Sequence, residues 1–285
     1  MKVCLPSDSN MDIGGGWTFK RNLIEAAKRT GLFEVVSRGA DWDIALVSGA
    51  TMITRDTWQA LKQKGKVVLR VDGVPEAWRN RGTGWSRLRD YAKKADRIIY
   101  QSKFVQRTVG GLLGRGGFVI YNGTDKSIFK PHGLRLPKFG SPSLLNVYFR
   151  KDPNKRIEEV IMRFREFKVH NVGATLTLVG RYPTYLRQWK FGMLDLKEGK
   201  DWRYMGIAEH RDGLAKMMRS CDYFAYPSFA DPMPNVLIEA MSCGLKPLWI
   251  NDYGGAKEIV DNWHKVDWGL ERMGEEYINA FEKIL

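Results

Sequence analysis

The sequence predicts an α/β protein built from two parallel, doubly wound sheets. Three observations lead there. Short apolar runs alternate with segments of helical periodicity along the whole chain, the pattern of βα repeats. The length of 285 residues exceeds the commonest single-domain size, so two compact units of about 120 to 150 residues are expected. An Asn122-Gly123 turn signal is followed by a stretch from Pro131 to Pro142 rich in proline, glycine and basic residues, without periodicity, as expected of a linker. The boundaries read as a first domain over 1–124, a linker over 125–143, a second domain over 144–268 and a last amphipathic helix over 269–285.

In the first half, Lys2 to Leu5 is a strand. It is followed by a loop ending in Gly14-Gly15-Gly16 and by a helix from Trp17 to Thr30 with Leu23, Ile24 and Ala27 on one face. Strand, glycine loop and helix bring backbone N–H groups close to a phosphate. The string is neither G-x-G-x-x-G nor a P-loop with its lysine, and a plain turn fits as well. Phe33 to Ser37, Ile44 to Ser48 and Lys66 to Val71 are the next strands, with a helix over Thr54 to Gln63. Arg70 and Asp72 lie where the last of these strands ends, which is where open parallel sheets collect ligands. They read either as a polar site or as a structural ion pair. Ala95 to Ser102 is a buried strand with a polar end, Lys103 to Leu113 a helix and Phe118 to Tyr121 a further strand.

In the second half, Leu144 to Phe149 is a strand leading to Arg150 and K-D-P-N-K, and a helix covers Ile157 to Phe167. Ala174 to Val179 and Trp202 to Met205 are strands, and Arg211 to Arg219 is a helix with Leu214, Met217 and Met218 inward. The most informative stretch runs from Cys221 to Gly244, C-D-Y-F-A-Y-P-S-F-A-D-P-M-P-N-V-L-I-E-A-M-S-C-G. Tyr223 to Tyr226 reads as a strand, stopped by Pro227. Asp231, Pro232, Pro234 and Asn235 lead into a helix that carries Val236, Leu237, Ala240 and Met241 and ends at Gly244. Glu239 stands among small and apolar side chains of that helix. It serves a structural bond, solvent or a ligand, and the helix N-terminus offers free N–H groups to a phosphate. Leu245 to Ile250 is a last strand, and Gly254-Gly255 precede another helix.

Composition narrows the setting. The apolar fraction of 44% and ten tryptophans support packed cores and exclude a disordered chain. No stretch is long and apolar enough to span a bilayer. The segment M-K-V-C-L-P-S-D reads as a strand rather than a signal peptide. Cys4, Cys221 and Cys243 are odd in number and sit in or beside apolar runs, which points to reduced, buried thiols and a cytoplasmic setting. The formal charge is +14, and residues 1–124 carry 21 basic against 11 acidic side chains. A basic first half favours an anionic partner: a lipid surface, a glycan phosphate or a nucleic acid. Arg79, Arg81, Arg87, Arg89, Lys93, Lys94, Arg97, Lys103 and Arg107 concentrate it, with Trp78 and Trp85 interleaved. The stretch equally reads as a solvated helix face, and it carries no nucleic-acid-binding module.

The string P-S-F-A-D-P-M-P-N-V-L-I-E-A-M-S-C-G resembles the donor-binding signature of the retaining GT-B glycosyltransferases of the large GT4 family. N-G-T-D-K-S-I-F-K-P resembles that family's domain-crossing segment, and A-D-R-I-I-Y-Q-S-K-F-V the end of its first domain. The likeness covers most of the chain and is weakest before Gly65. It implies the GT-B architecture, two Rossmann-like domains facing across a cleft, with the terminal helix returning to the first domain. It also implies a retaining, metal-independent transfer of a hexose from a nucleotide diphosphate sugar, UDP- or GDP-linked, without a cofactor. By this resemblance Arg150 and Lys155 grip the diphosphate and stabilise its departure, and Glu239 holds the ribose. Asp231, where the family has glutamate, touches the transferred sugar. Gly15, Gly16, Met233, Asn235 and Val236 line the donor, and Arg181 and Tyr204 stand near the base. Asp72, in R-V-D-G, takes the place of a histidine that many relatives carry. The acceptor is expected to be anionic and engaged through the basic first domain, with peripheral contact at the inner membrane face. Two other readings stand beside this one. One is a nucleotide-sugar hydrolase or epimerase of the same fold, and the other is a basic nucleic-acid-binding protein with a non-catalytic α/β fold.

Overall fold

Every paired strand of the protein, in a computed structural model that describes residues 1–8, 14–73, 82–149, 152–183 and 191–285, runs parallel to its neighbours. In chain order the elements are β1 (Lys2–Cys4), α1 (Gly15–Thr30), β2 (Glu34–Val36), β3 (Ile44–Val47), α2 (Arg55–Lys64), β4 (Lys66–Val71), α3 (Gly82–Lys94) and β5 (Arg97–Tyr100). Then come α4 (Lys103–Val105), a π turn (Gln106–Gly110), α5 (Gly111–Leu113), β6 (Phe118–Val119), β7 (Ser143–Tyr148), a 3-10 turn (Pro153–Lys155) and α6 (Ile157–His170). They are followed by β8 (Thr175–Gly180), α7 (Phe191–Met193), β9 (Trp202–Tyr204), α8 (Arg211–Arg219), β10 (Tyr223–Ala225), α9 (Asn235–Ser242), β11 (Lys246–Leu248), α10 (Gly255–Asp261) and α11 (Leu270–Glu282).

The chain divides into two units. The first comprises Met1–Thr124, Asp231–Asn235 and Asp261–Leu285, and the second Asp125–Ala230 and Val236–Val260. The residues read as a linker therefore cluster with the second unit. Arg219 explains how an aperiodic stretch is held there. Its Nε donates to the carbonyl of Leu134 at 2.8 Å and its Nη1 to that of Ile128 at 3.1 Å.

The first unit is a six-stranded sheet in the order β2-β1-β3-β4-β5-β6. The strands β3 and β4 are buried on both faces, which is why they read as unbroken apolar runs. Helix α1 buries Phe19, Leu23, Ala26 and Ala27, and Gly31, in the left-handed region, closes it by donating to the Ala27 carbonyl. Thr54 caps α2 by accepting from the Thr57 N–H. Helix α11 turns Met273, Tyr277, Ile278 and Phe281 into the same core as Phe19 and Leu23. Met273, Ile278 and Phe281 each contribute about 1.5 to 3 kcal/mol through burial.

The second unit is a five-stranded sheet in the order β11-β10-β7-β8-β9. Its core joins Leu144, Leu176 and Leu178 of the strands to Ile157, Val160, Ile161 and Phe164 of α6. Asn146, buried inside β7, donates to the carbonyl of Ala225 at 2.6 Å and accepts from the Tyr182 hydroxyl. Burial, with Tyr148 and Tyr204 close by, holds the Tyr182 hydroxyl well above its ordinary range, so it stays a donor.

Candidate functional site

In both sheets the first strand has neighbours that lead away in opposite directions, and such a reversal opens a crevice beyond the carboxyl ends of the strands. In the second unit the reversal falls between β7 and β10. The residues after β7 are shaped to deliver a lysine there. Asp152 accepts from the Asn154 N–H at 3.1 Å and starts the 3-10 turn. The carbonyl of Asn154 accepts from the Phe229 N–H at 2.7 Å and the Ser228 hydroxyl at 3.1 Å, tying the turn to the residues after β10. Lys155 closes the turn, and its ammonium donates to the Tyr226 hydroxyl at 2.9 Å. A cation is thus fixed at the reversal point of the sheet. Arg150, its expected partner, lies outside the described residues.

Glu239 is buried on α9, beside Leu237, Ile238 and Ala240. Its carboxylate lies 3.9 Å from the guanidinium of Arg211, the first residue of α8. Arg211 also lies 4.0 Å from the Asp125 carboxylate and over the ring of Phe129. A carboxylate in an apolar helix is thereby offset by a cation from a neighbouring element. One turn further on, burial pushes the Cys243 thiol up to about 11, so it is a packing group rather than a nucleophile.

The expected base-side residues stand together at the ends of β8 and β9. Tyr204 pairs in register with Leu178 and donates from its hydroxyl to the Gly180 carbonyl at 2.6 Å. Arg181 is exposed just beyond, and its N–H donates to the Tyr148 carbonyl at 2.6 Å. Tyr204 is therefore partly a brace for the strand end that presents Arg181.

The first unit brings together another group. A Cβ built on Gly16 would lie 4.0 Å from Asp72 Oδ2, and one built on Gly49 only 2.5 Å from it. The Asp72 carboxylate thus sits against the start of α1 and the end of β3, beside the reversal between β1 and β3. Arg70 does not pair with Asp72, the ion pair that one reading of the sequence expects. Its Nη2 donates to Gln101 Oε1 at 2.6 Å and to Asn122 Oδ1 at 2.8 Å, with the guanidinium 3.8 Å from the centroid of the Phe19 ring. Gln101 in turn donates to the carbonyl of Asp72 at 2.7 Å. Asn122 donates to Asn235 Oδ1 at 2.8 Å, and Asn235 Nδ2 reaches the Gly15 carbonyl at 3.4 Å. In the same unit Asp231 accepts from the N–H of buried Met233 at 3.3 Å. Val236 is half-buried in α9.

Sequence reasoning does not single out Tyr226 or Arg211 as site residues. Tyr226 is legible as the last residue of a strand before proline. Nothing local marks Arg211, whose partners are distant in the chain.

Residues 136–271 match the family described as glycosyl transferases group 1. An uncharacterized glycosyltransferase of Methanocaldococcus jannaschii is 24% identical over 178 residues, which cover 58% of this chain and 43% of that protein. This chain thus spans less than half the length of that relative. Among solved structures, Anabaena HepE in complex with UDP and glucose superposes with a TM-score of 0.64 at 16% identity, covering 100% of this chain and 97% of that one. Sucrose-phosphate synthase from Thermosynechococcus elongatus gives 0.69 at 16% identity, over 99% and 96%. Residues 136–271 thus resemble the group 1 glycosyl transferases, and the chain that carries them has the GT-B fold.

Proposed function

We propose that the protein is a retaining, metal-independent hexosyltransferase of the GT4 group that uses a UDP- or GDP-linked sugar. The observation that carries this reading is the Lys155 ammonium, held by Tyr226 where the second sheet reverses its strand order. A diphosphate placed there meets a fixed cation. As the anomeric C–O bond breaks, that cation, with Arg150, neutralises the charge growing on the departing phosphate oxygen. This is the work a metal does in other transferases, which is the ground for reading the reaction as metal-independent and without a cofactor.

Glu239 is assigned to the ribose hydroxyls, which a carboxylate accepts from, and Asp231 to the hydroxyls of the transferred sugar. The base lies toward Arg181 and Tyr204. Met233, Asn235, Val236, Gly15 and Gly16 line the diphosphate and sugar, and Asp72 orients the reacting groups. The acceptor oxygen bonds to the anomeric carbon on the face the diphosphate leaves, and its proton passes to the leaving phosphate oxygen. The acceptor is read as anionic and the setting as cytoplasmic, with contact at the inner membrane face. HepE, of the same fold, is solved with UDP and glucose, which supports a uridine donor first.

A donor screen tests the proposal. Heat denaturation is followed with UDP-, GDP-, ADP- and CMP-sugars, and a UDP- or GDP-sugar is expected to raise the melting temperature. Sugar release that no acceptor suppresses would identify a hydrolase instead, and stabilisation by none of the donors would end the transferase reading.

A further inference from the structure

The helical segment after β5 turns away from the face its sequence prescribes. Phe104, Val105, Thr108, Val109 and Leu112 recur at the spacing of one α-helical face, and an unbroken helix would bury them together. Instead Gln106–Gly110 form a π turn. A π turn holds an extra residue, so the side chains beyond it are rotated off the buried stripe. Phe104, Val105 and Val109 stay buried, whereas Leu112 stands 70% exposed between glycines at 111 and 114.

The surface around it is cationic. Arg115 sends its guanidinium to the C-terminal end of α3, donating to the carbonyls of Lys93 and Ala95, both at 3.2 Å. That places Lys93 and Lys94 beside the α5 turn. Arg97 begins β5 and by register lies level with Gly116, and Arg107 in the π turn is exposed. Two carboxylates nearby are already engaged, Asp90 with Lys94 at 2.9 Å and Asp96 with Lys62 at 2.6 Å. Among the described residues, Lys93, Arg97 and Arg107 meet no carboxylate. Lys93 and Lys94 also complement the dipole of α3, but that role calls for no protruding leucine. The surface lies at the amino ends of β4 and β5, the opposite end of the sheet from Asp72.

We infer that this face of the first unit docks on an anionic lipid bilayer. Leu112 enters the acyl boundary, while Lys93, Arg97, Arg107 and Arg115 meet headgroup phosphates. A protruding leucine adds apolar insertion to the attraction of a basic patch for anionic headgroups. A nucleic acid would satisfy the cations but would leave Leu112 in water. The inference gives the proposed membrane contact its face and residues, and it rests on that contact rather than on sugar transfer itself.

The full chain is floated with phosphatidylcholine vesicles with and without phosphatidylglycerol. Binding is expected only with the anionic lipid, falling as salt is added. Lys93→Ser and Arg97→Ser are each expected to weaken it about fivefold, and Leu112→Asp by about tenfold or more. The three native cysteines are buried, so Leu112→Cys accepts an environment-sensitive dye selectively, and its emission shifts to the blue on anionic vesicles. Equal binding to neutral vesicles, or unchanged binding by Leu112→Asp, overturns the inference. So does capture of single-stranded RNA, undiminished in Leu112→Asp, by a chain that ignores vesicles. Leu112→Asp should melt like the parent and keep its stabilisation by nucleotide sugar, which separates failure of this inference from failure of the transferase reading.

Discussion

The ammonium of Lys155 and the hydroxyl of Tyr226 meet at 2.9 Å, the one from the turn after β7 and the other from just beyond β10. The pair closes the point at which the sheet reverses order. Lys155→Ala should therefore cost catalysis more than stability, about a hundredfold to a thousandfold in kcat by analogy with the loss of one charge-stabilising donor. Tyr226→Phe keeps the cation and removes its anchor, so its loss is smaller. Nucleotide release under saturating donor measures both, and equal losses in the two variants would refute the division of roles.

Glu239 and Arg211 face one another at 3.9 Å in buried surroundings. Glu239→Gln keeps the shape and removes the charge. Donor affinity should fall about tenfold to a hundredfold, the worth of a hydrogen bond to a charged group. Arg211→Met leaves the carboxylate buried without that cation and should lower the melting temperature even without donor. Calorimetric titration with the stabilising nucleotide sugar reads the first effect and thermal unfolding the second. Unchanged affinity in Glu239→Gln would end the ribose assignment.

The alternation of strands and helices was legible because strands such as β3, β7 and β8 are buried throughout and helices such as α1 and α6 turn an apolar face inward. Lys155, Glu239 and Asp231 stand out in the sequence through the resemblance, Asp231 and Glu239 in the string from Pro227 to Gly244 and Lys155 in K-D-P-N-K. The partners of Arg70 were not. Gln101 and Asn122 lie 31 and 52 residues away, and a nearby aspartate offered a simpler pairing. The hold on residues 125–143 was hidden for a like reason, since it rests on side-chain bonds from Arg219 to backbone carbonyls, which leave no periodic trace. The exposure of Leu112 contradicts helical spacing and arises from a π turn that no local residue signals.

Arg70 is 1% exposed, and its two terminal nitrogens bond neutral partners, Gln101, Asn122 and the carbonyl of Ser48. Nη2 serves both amide oxygens while Nη1 reaches the Ser48 carbonyl, and a lysine, with one ammonium in place of the planar fork, cannot make both sets of bonds. Arg70→Lys should cost about 1 to 3 kcal/mol through groups left unpaired, and Arg70→Ala more, because the Phe19 stack is lost as well. Chemical denaturation reads these values directly. A stability equal to the parent in Arg70→Ala would show the network to be dispensable.

Two sets of groups give the protein stability that depends on pH in opposite directions. Burial raises the thiols of Cys221 and Cys243 from 9.0 to about 11. A raised acid stays protonated when folded while the unfolded chain ionises, so this stability is complete below pH 9 and is lost between about 9 and about 11. At Asp222 burial opposes ionisation, but the N–H and hydroxyl of Ser143 and the ammonium of Lys138 outweigh it and hold the carboxyl below its ordinary 3.8. That contribution is present above 3.8 and fades as pH falls below it. Melting temperature against pH should decline at both ends. Cys221→Ala should flatten the alkaline limb and Asp222→Asn the acid limb, and a limb unmoved by its own variant rejects that assignment.

Gly49 decides where the Asp72 carboxylate can sit, because a Cβ there would lie 2.5 Å from Oδ2 and 2.7 Å from Cγ. No side chain contact is that short, so Gly49→Ala must push the carboxylate aside. If Asp72 orients the reacting groups, Asp72→Asn and Gly49→Ala should both lower kcat while leaving the donor's stabilising effect in place, since the donor is assigned chiefly to the second unit. Misplacing an orienting group by a fraction of an ångström to an ångström costs about a hundredfold. Asp72→Asn keeps the position and loses the charge, and Gly49→Ala does the reverse, so the pair separates charge from placement. A Gly49→Ala variant that turns over at the parental rate while Asp72→Asn is crippled would show that the charge acts from a distance and that its exact seat against Gly49 is immaterial.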